Sequence, residues 1–324
     1  MLTVLTERAF ECETLRLFAS SRSAGEKLPF GEKEFVVEDL ATADFSGIDI
    51  ALFSAGGETS KEYAHKFVEA GAVVIDNSSQ FRMDEGVPLV VPEVNADSAR
   101  EVARKGKGII ANPNCSTIQL VVALKPIAER FGLKRVVVST YQSVSGAGKV
   151  GMDELWNQSV GIFNQKPVEP SKFSKQIAFN CIPHCDVFLE NGYTKEEMKL
   201  VNESRKILNL PNLRLTATAV RVPVFLSHSE AVNVELEKSS TQEELKALLR
   251  ESPGCIVLDD PSEEQYPTAV DTAGTDATFI GRIRKDETLD SGYNLWIVAD
   301  NLRKGAALNA VQIAEIVAAE PKVH

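Results

Sequence analysis

IDIALFSAGGETSKEYAHKFVEAGAVVIDNSS, residues 48–79, is the stretch from which the architecture can be read. Residues 48–53 are a short apolar run of the buried-strand kind, ending in a glycine-containing turn. Thr59-Ser60-Lys61-Glu62 has the spacing of a capping box, which predicts a helix closing near Ala70-Gly71. AVVIDNSS then reads as the next strand, and VPLVVPEVN (87–95) follows as another extended run. Strand, helix and strand at this spacing describe a parallel sheet with right-handed crossovers. Such sheets meet ligands at the carboxyl ends of their strands, which assigns Ser54-Ala55-Gly56-Gly57 and Asn77-Ser78 to a mouth. A turn-forming role alone is the competing reading of the glycines.

A second corner lies in GIIANPNCSTIQLVVALKPIAERFG, residues 108–132. A strand runs into Asn112-Pro113-Asn114, and Pro113 blocks its continuation. Ile118, Val121, Val122, Leu124 and Ile127 mark one face of a helix that Asn114 or Ser116 can cap. Cys115 therefore stands at a helix N-terminus, where unpaired N–H groups and the macrodipole favour a thiolate. The bland alternative is a small buried apolar residue.

The 324 residues allow two domains, and 44% hydrophobic with 25% charged residues is a globular balance. A net charge of −11 without a basic cluster argues against nucleic acid or an acidic membrane as partner. No apolar run is long enough to span a bilayer and no signal peptide is recognisable. Five scattered cysteines do not make a disulfide framework, so a reducing cytoplasm is expected. Cys181-Ile-Pro-His184-Cys185 offers soft metal ligands, but a closed zinc site needs four. The apolar pattern around both cysteines favours a core role, and no metal is expected.

From about residue 134 the texture changes. KRVVVSTYQSVSGAG (134–148) is a strand and a small-residue loop; residues 156–176 read as an irregular connection. TKEEMKLVNESRKILNL (194–210) is a helix with a capping box at Thr194 and Glu197. LRLTATAVRVPVFLSHSEAVNVELE (213–237) reads as two strands around a turn. TQEELKALLRES (241–252) is another helix, and FIGRIRKD with YNLWIVAD forms an antiparallel pair. NLRKGAALNAVQIAEIVAAE (301–320) is the last helix. The expected fold is α/β: a Rossmann-like parallel-sheet domain over 1–113 and 302–324, and an α+β domain over 114–301 with a mostly antiparallel sheet. Residues 1–10 resemble the end of a helix and ETLRLFASSRSAG a second strand, so the first strand and its phosphate-binding glycine loop are read as missing.

NPNCST around Cys115, STYQSVSGAG around Gln142, RVPVFLSHSE with Arg221 and His228, and DNLRKGAA together resemble the aspartate-semialdehyde dehydrogenase family. LFASSRSAG, FSAGGETS, DNSSQFRMD, VPLVVPEVN, EEMK and FIGRIRKD extend the likeness from about residue 15 onward. The resemblance implies reversible conversion of β-aspartyl phosphate and NADPH into aspartate semialdehyde, NADP and phosphate, on the route to lysine, threonine, methionine and diaminopimelate. It implies Cys115 as nucleophile, Gln142 orienting the acyl intermediate, Arg221 on the substrate α-carboxylate and His228 as acid/base. Arg82 and Lys199 would bind phosphate or substrate. Ser21, Arg22 and Ser23 would meet the adenosine 2′-phosphate, while Ser145, Gly146 and Asn301 would line the nicotinamide side. A homodimer through the second domain is implied as well.

The chemistry of these residue types agrees. An acyl phosphate calls for a soft nucleophile that forms a thioester and leaves again. Histidine can handle a proton near neutral pH, and the arginine fork binds two carboxylate oxygens. In isolation His228 would read as a satisfied strand-end histidine, and Arg221 as a surface charge. Two other readings stand beside this one: a related acyl-phosphate reductase of the N-acetyl-glutamyl-phosphate type, and a cofactor-impaired relative acting as a binding or dimer partner.

Overall fold

The computed structural model describes residues 1–321. They divide into two compact units, Met1–Asn112 with the chain from Ala307 onward, and Pro113–Ala306.

The first unit opens with α1 (Leu2–Glu7), β1 (Leu17–Ala19), β2 (Lys27–Phe30) and β3 (Lys33–Asp39). β4 (Ile50–Phe53), α2 (Gly57–Glu69), β5 (Val73–Asp76), α3 (Pro92–Arg104) and β6 (Gly108–Ala111) follow. β4, β5 and β6 form a parallel sheet in that order, and a second sheet has the order β1-β3-β2. All four residues of β5 are buried, because both faces of the sheet are covered. On one face Val73, Ile75 and Ile110 pack with Val102, Ile313 and Val317; on the other Phe53, Val74 and Ile109 pack with Ala64 and Phe67. Phe67 stacks on Phe45 at 4.0 Å between ring centroids and meets Phe18 edge-on at 5.8 Å. A buried ring of this size contributes ~1.5–3 kcal/mol. Among the described residues β1 pairs only with β3 and β4 only with β5, and the sixteen residues before β1 contain no glycine.

The second unit contains α4 (Cys115–Phe131), β7 (Leu133–Gln142), α5 (Lys149–Phe163), α6 (Lys195–Ile207), β8 (Arg214–Arg221), β9 (His228–Leu236), α7 (Gln242–Arg250), β10 (Cys255–Val257), α8 (Ala269–Thr272), β11 (Thr278–Lys285) and β12 (Gly292–Ala299). The chain then returns to the first unit as α9 (Leu308–Ala319). The six strands lie in the order β10-β11-β12-β9-β7-β8, antiparallel through the middle with a parallel pair at each edge. α4 packs on this sheet and against α6 and α7, and is buried along most of its length. Pro126 within α4 supplies no N–H to the Val122 carbonyl four residues back; the Cys255 thiol donates to that carbonyl instead, at 3.8 Å.

Several local expectations are corrected. Thr59 is not a helix cap: Gly56 is, at φ +92°, a conformation open to glycine that starts α2 three residues earlier. Ser60 bonds instead to the buried Asp76 at 2.7 Å. VPLVVPEVN is not a strand; only Leu89 bridges to Ala111, and Pro92 opens α3 at the position where its missing N–H costs nothing. Trp156 lies inside α5, and the irregular connection begins only after Phe163. β8 and β9 do not pair with each other, because β7 lies between them. The last helix begins at Leu308, and Arg303–Ala307 before it is a single wider π turn. No helix among the described residues is long and apolar enough to cross a membrane.

Candidate active site

Strand register builds the site. Gln142 on β7 lies opposite Arg221 on β8 and opposite His228 on β9, and His228 in turn lies opposite Ala299 on β12. Residues facing one another across a ladder share a sheet face. Arg221, Gln142 and His228, separated by up to 86 positions in sequence, thus form one row at the sheet's end.

The loop after β7 turns back over that row. The Ser143 N–H donates to His228 Nδ1 at 3.1 Å, and the Ser143 carbonyl accepts from Arg221 Nη1 at 2.7 Å. An N–H can only donate, so Nδ1 is the acceptor nitrogen and the neutral ring carries its proton on Nε2. Nε2 is buried without a hydrogen-bond partner, beneath Gly146. A Cβ at Gly146 would stand 3.0 Å from Arg221 Nη1 and 3.2 Å from His228 Nε2, so any side chain there would press on both. Burial, and then the Arg221 charge, lower the His228 pKa to about 3; Glu196 opposes them only in part.

Asn301 ties the loops together. Its Oδ1 accepts from the Ser227 N–H at 3.0 Å and from the Ser143 and Ser145 hydroxyls at 3.1 and 3.2 Å, while its Nδ2 donates to Ser145 Oγ at 3.0 Å. Ser227 itself is held at φ +69°, which is uncommon for a residue with a side chain and sets the entry of His228 into the row.

Asn114 caps α4, its Oδ1 accepting from the N–H groups of Ser116 and Thr117 at 3.0 and 3.2 Å. Cys115, half-buried, is the first helical residue. The Asn114 N–H donates to Glu203 Oε2 at 2.7 Å and its Nδ2 to Glu196 Oε1 at 2.9 Å. Glu196 Oε1 also accepts from Gln142 Nε2 at 3.0 Å, and Glu196 Oε2 from Lys199 Nζ at 3.0 Å. Burial acts to raise the Glu196 pKa, yet the Lys199 charge and the bonds from Gln142 and Asn114 prevail and hold it at about 2. Lys199 also pairs with Asp186 at 2.8 Å.

Gln142, Ser145, Gly146, Lys199, Arg221, His228 and Asn301 are thus joined by short contacts within the second unit, and Cys115 follows Asn114, which bonds to Glu196 in the same network. Sequence reasoning missed Glu196, Asn114 as a hydrogen-bonding hub, and Ser143. The three-residue spacing of Glu196 and Lys199 on a helix was the available signal for the first.

In the first unit, Ser54 and Gly56 follow β4 and Asn77 follows β5, at the carboxyl ends of parallel strands. Asn77 Oδ1 accepts from Asn112 Nδ2 at 2.6 Å, and the Asn77 carbonyl accepts from Arg82 Nη2 at 3.1 Å. Ser21, Arg22 and Ser23 form the turn after β1, with Ser21 and Arg22 exposed. Cys185 is a buried core residue whose thiol burial pushes up to about 11, but Cys181 is exposed, contrary to the core reading: the extended chain here points Ile182 inward and Cys181 out.

Comparison with known proteins identifies the family. The models for the semialdehyde dehydrogenase NAD binding domain and dimerisation domain match residues 1–102 and 124–304. The aspartate-semialdehyde dehydrogenases of Aquifex aeolicus and Legionella pneumophila are each 54% identical to this chain over 98% of its length, covering 94% and 92% of those proteins. The crystal structure of Vibrio cholerae aspartate semialdehyde dehydrogenase II complexed with ASA is 51% identical, with a TM-score of 0.94 over 98% of this chain and 93% of that one. The chain belongs to the aspartate-semialdehyde dehydrogenase family, oxidoreductases of amino-acid biosynthesis.

Proposed function

We propose that the chain reduces β-aspartyl phosphate through a thioester on Cys115, with NADPH as hydride donor. The Cys115 thiolate attacks the acyl carbon; a C–S bond forms, the C–O bond to phosphorus breaks, and phosphate leaves with the bonding pair. When bound, NADPH supplies the hydride that reduces the thioester. His228 Nε2–H faces the substrate oxygen and stabilises the negative charge that develops on it. Its low pKa keeps the ring neutral, so in this proposal His228 donates a hydrogen bond in place of the acid/base proton transfer expected of it. The thiohemiacetal then breaks its C–S bond, releasing aspartate semialdehyde and returning the thiolate. Gln142, anchored on Glu196, orients the acyl group, and Arg221 takes the substrate carboxylate with its planar fork.

Arg82 and Lys199 are assigned to the phosphate or substrate. Ser21, Arg22, Ser23, Ser54, Gly56 and Asn77 are assigned to the nucleotide, and Ser145, Gly146 and Asn301 to the nicotinamide. α2 fits an anion at its start: no side chain caps it, and a Cβ at Gly56 would meet nothing within 4 Å. Arg22, exposed in the turn after β1, supports NADP over NAD. A homodimer through the second unit and a cytoplasmic site of action belong to the same reading. For the dimer, Tyr141 and Trp296 on the outer face of the sheet support it, with rings 5.4 Å apart and Tyr141 exposed.

The observation that carries the reading is the row Arg221–Gln142–His228, tied through Glu196 and Asn114 to the helix that begins with Cys115. Cys115→Ser tests it. Assayed with aspartate semialdehyde, phosphate and NADP, the variant loses nearly all turnover with an unchanged circular dichroism spectrum. A wild-type rate would overturn the covalent mechanism.

A further inference from the structure

Four buried polar atoms under the catalytic row have no part in this mechanism. Both carboxyl oxygens of Glu230 and both amide atoms of Gln119 are buried without a well-formed hydrogen bond. Glu230 lies on β9 in register with Thr140, one row below His228. The Thr140 hydroxyl is already engaged, donating to Gln142 Oε1 at 3.3 Å and accepting from the Val220 N–H at 3.4 Å. Gln119 is the side chain that faces Glu230. Burial pushes the Glu230 carboxyl well above the usual carboxylate range, with Gln119 opposing only in part, which favours the protonated form.

The spacing gives this pair a meaning. Cys115 and Gln119 are four residues apart on α4, one above the other on a helix face and about 6 Å apart along the axis. His228 and Glu230 are two residues apart on β9, on one sheet face and about 7 Å apart. The two steps match, and α4 packs against β9. Cys115 with His228 and Gln119 with Glu230 are therefore successive rungs between the same helix and the same strand. A carboxylic acid and a primary amide are also complementary, since each has one donor to offer and one acceptor to fill.

Building on the covalent reading above, we infer that Gln119 and Glu230 are positioning residues: their acid–amide pair fixes α4 on β9 and thereby sets the Cys115 sulfur relative to His228 Nε2. The Glu230 O–H donates to Gln119 Oε1 and Gln119 Nε2 donates to the other Glu230 oxygen, so a small closure of the pair satisfies all four atoms. An ordinary core position would be filled at least as well by leucine, without burying a carboxyl.

The test compares Glu230→Gln, Glu230→Leu, Gln119→Leu and the double leucine variant by kcat, KM, melting temperature and the rate of Cys115 alkylation by iodoacetamide. Glu230→Gln keeps kcat within about twofold and an unchanged pH profile, because an amide preserves the pairing. Each leucine variant lowers kcat by about tenfold with KM nearly constant and alters the alkylation rate; the double variant is no worse than either single one, as expected of one shared interaction. Wild-type kcat and alkylation in Gln119→Leu would overturn the inference, as would a Glu230→Gln variant damaged as badly as Glu230→Leu. Should Glu230→Leu fail to fold, the other two single variants decide. The Cys115→Ser assay reports separately on the covalent reading, so the two fail in distinguishable ways.

Discussion

A Cβ built on Gly305 would stand 2.8 Å from the Cβ of Cys115. Any side chain there must displace the first residue of α4 or the π turn that carries Gly305, since neither atom is the end of a flexible chain. Gly305→Ala is expected to fold, and to lower kcat by about tenfold or more through misplacement of the sulfur. Alkylation of Cys115 measured alongside kcat checks it; wild-type values of both would mean that the turn yields freely.

Arg221 and His228 should separate in kinetics. Arg221→Lys keeps a positive charge but loses the fork, and the KM for aspartate semialdehyde is expected to rise about tenfold to a hundredfold. His228→Ala is expected to lower kcat by about 10²–10³-fold with a smaller change in KM. If His228→Ala raised only KM, its assignment to the substrate oxygen would be wrong.

The same histidine makes a prediction about acid. Its folded pKa of about 3 lies below the ordinary 6.5, so between these values the unfolded chain binds the extra proton. Stability contributed by neutral His228 is therefore complete above about pH 6.5 and is lost as the pH falls toward 3. Glu196, held at about 2 against an ordinary 4.5, contributes about 3 kcal/mol of stability that is present in full above pH 4.5 and lost as the pH falls toward 2. Melting curves of wild type and Glu196→Gln should converge over that lower window; a constant gap across it would show that Glu196 does not titrate as its surroundings require.

The proposed contact of Arg22 with the 2′-phosphate can be read in nucleotide preference. Arg22→Ala is expected to raise the KM for NADPH about tenfold and to leave that for NADH unchanged, because only the former carries the 2′-phosphate. Equal effects on both would remove Arg22 from that contact.

Much of this was legible in residue order. Asn114 and Cys115 announced a capped helix start, since the cap needs only neighbours two and three residues away. Thr194 and Glu197 likewise formed the expected capping box. What could not be read was long-range register. The pairing of Gln142 with both Arg221 and His228 depends on β7 entering between β8 and β9, and a two-strand reading of residues 213–237 hides that insertion. Glu196 escaped for a related reason: its partners Gln142 and Asn114 lie 54 and 82 positions away. The start of α2 was misread because a glycine at positive φ can open a helix with no polar cap.

The central claim is a thioester between substrate and Cys115, and intact-protein mass spectrometry addresses it most directly. Mixed with β-aspartyl phosphate in the absence of any nicotinamide nucleotide, the wild-type chain should gain the mass of one aspartyl group, mapped by peptide analysis to Cys115 and discharged when NADPH is added. Cys115→Ser should gain none. An unmodified Cys115 in protein that turns over normally, or an adduct at another residue, would contradict the account.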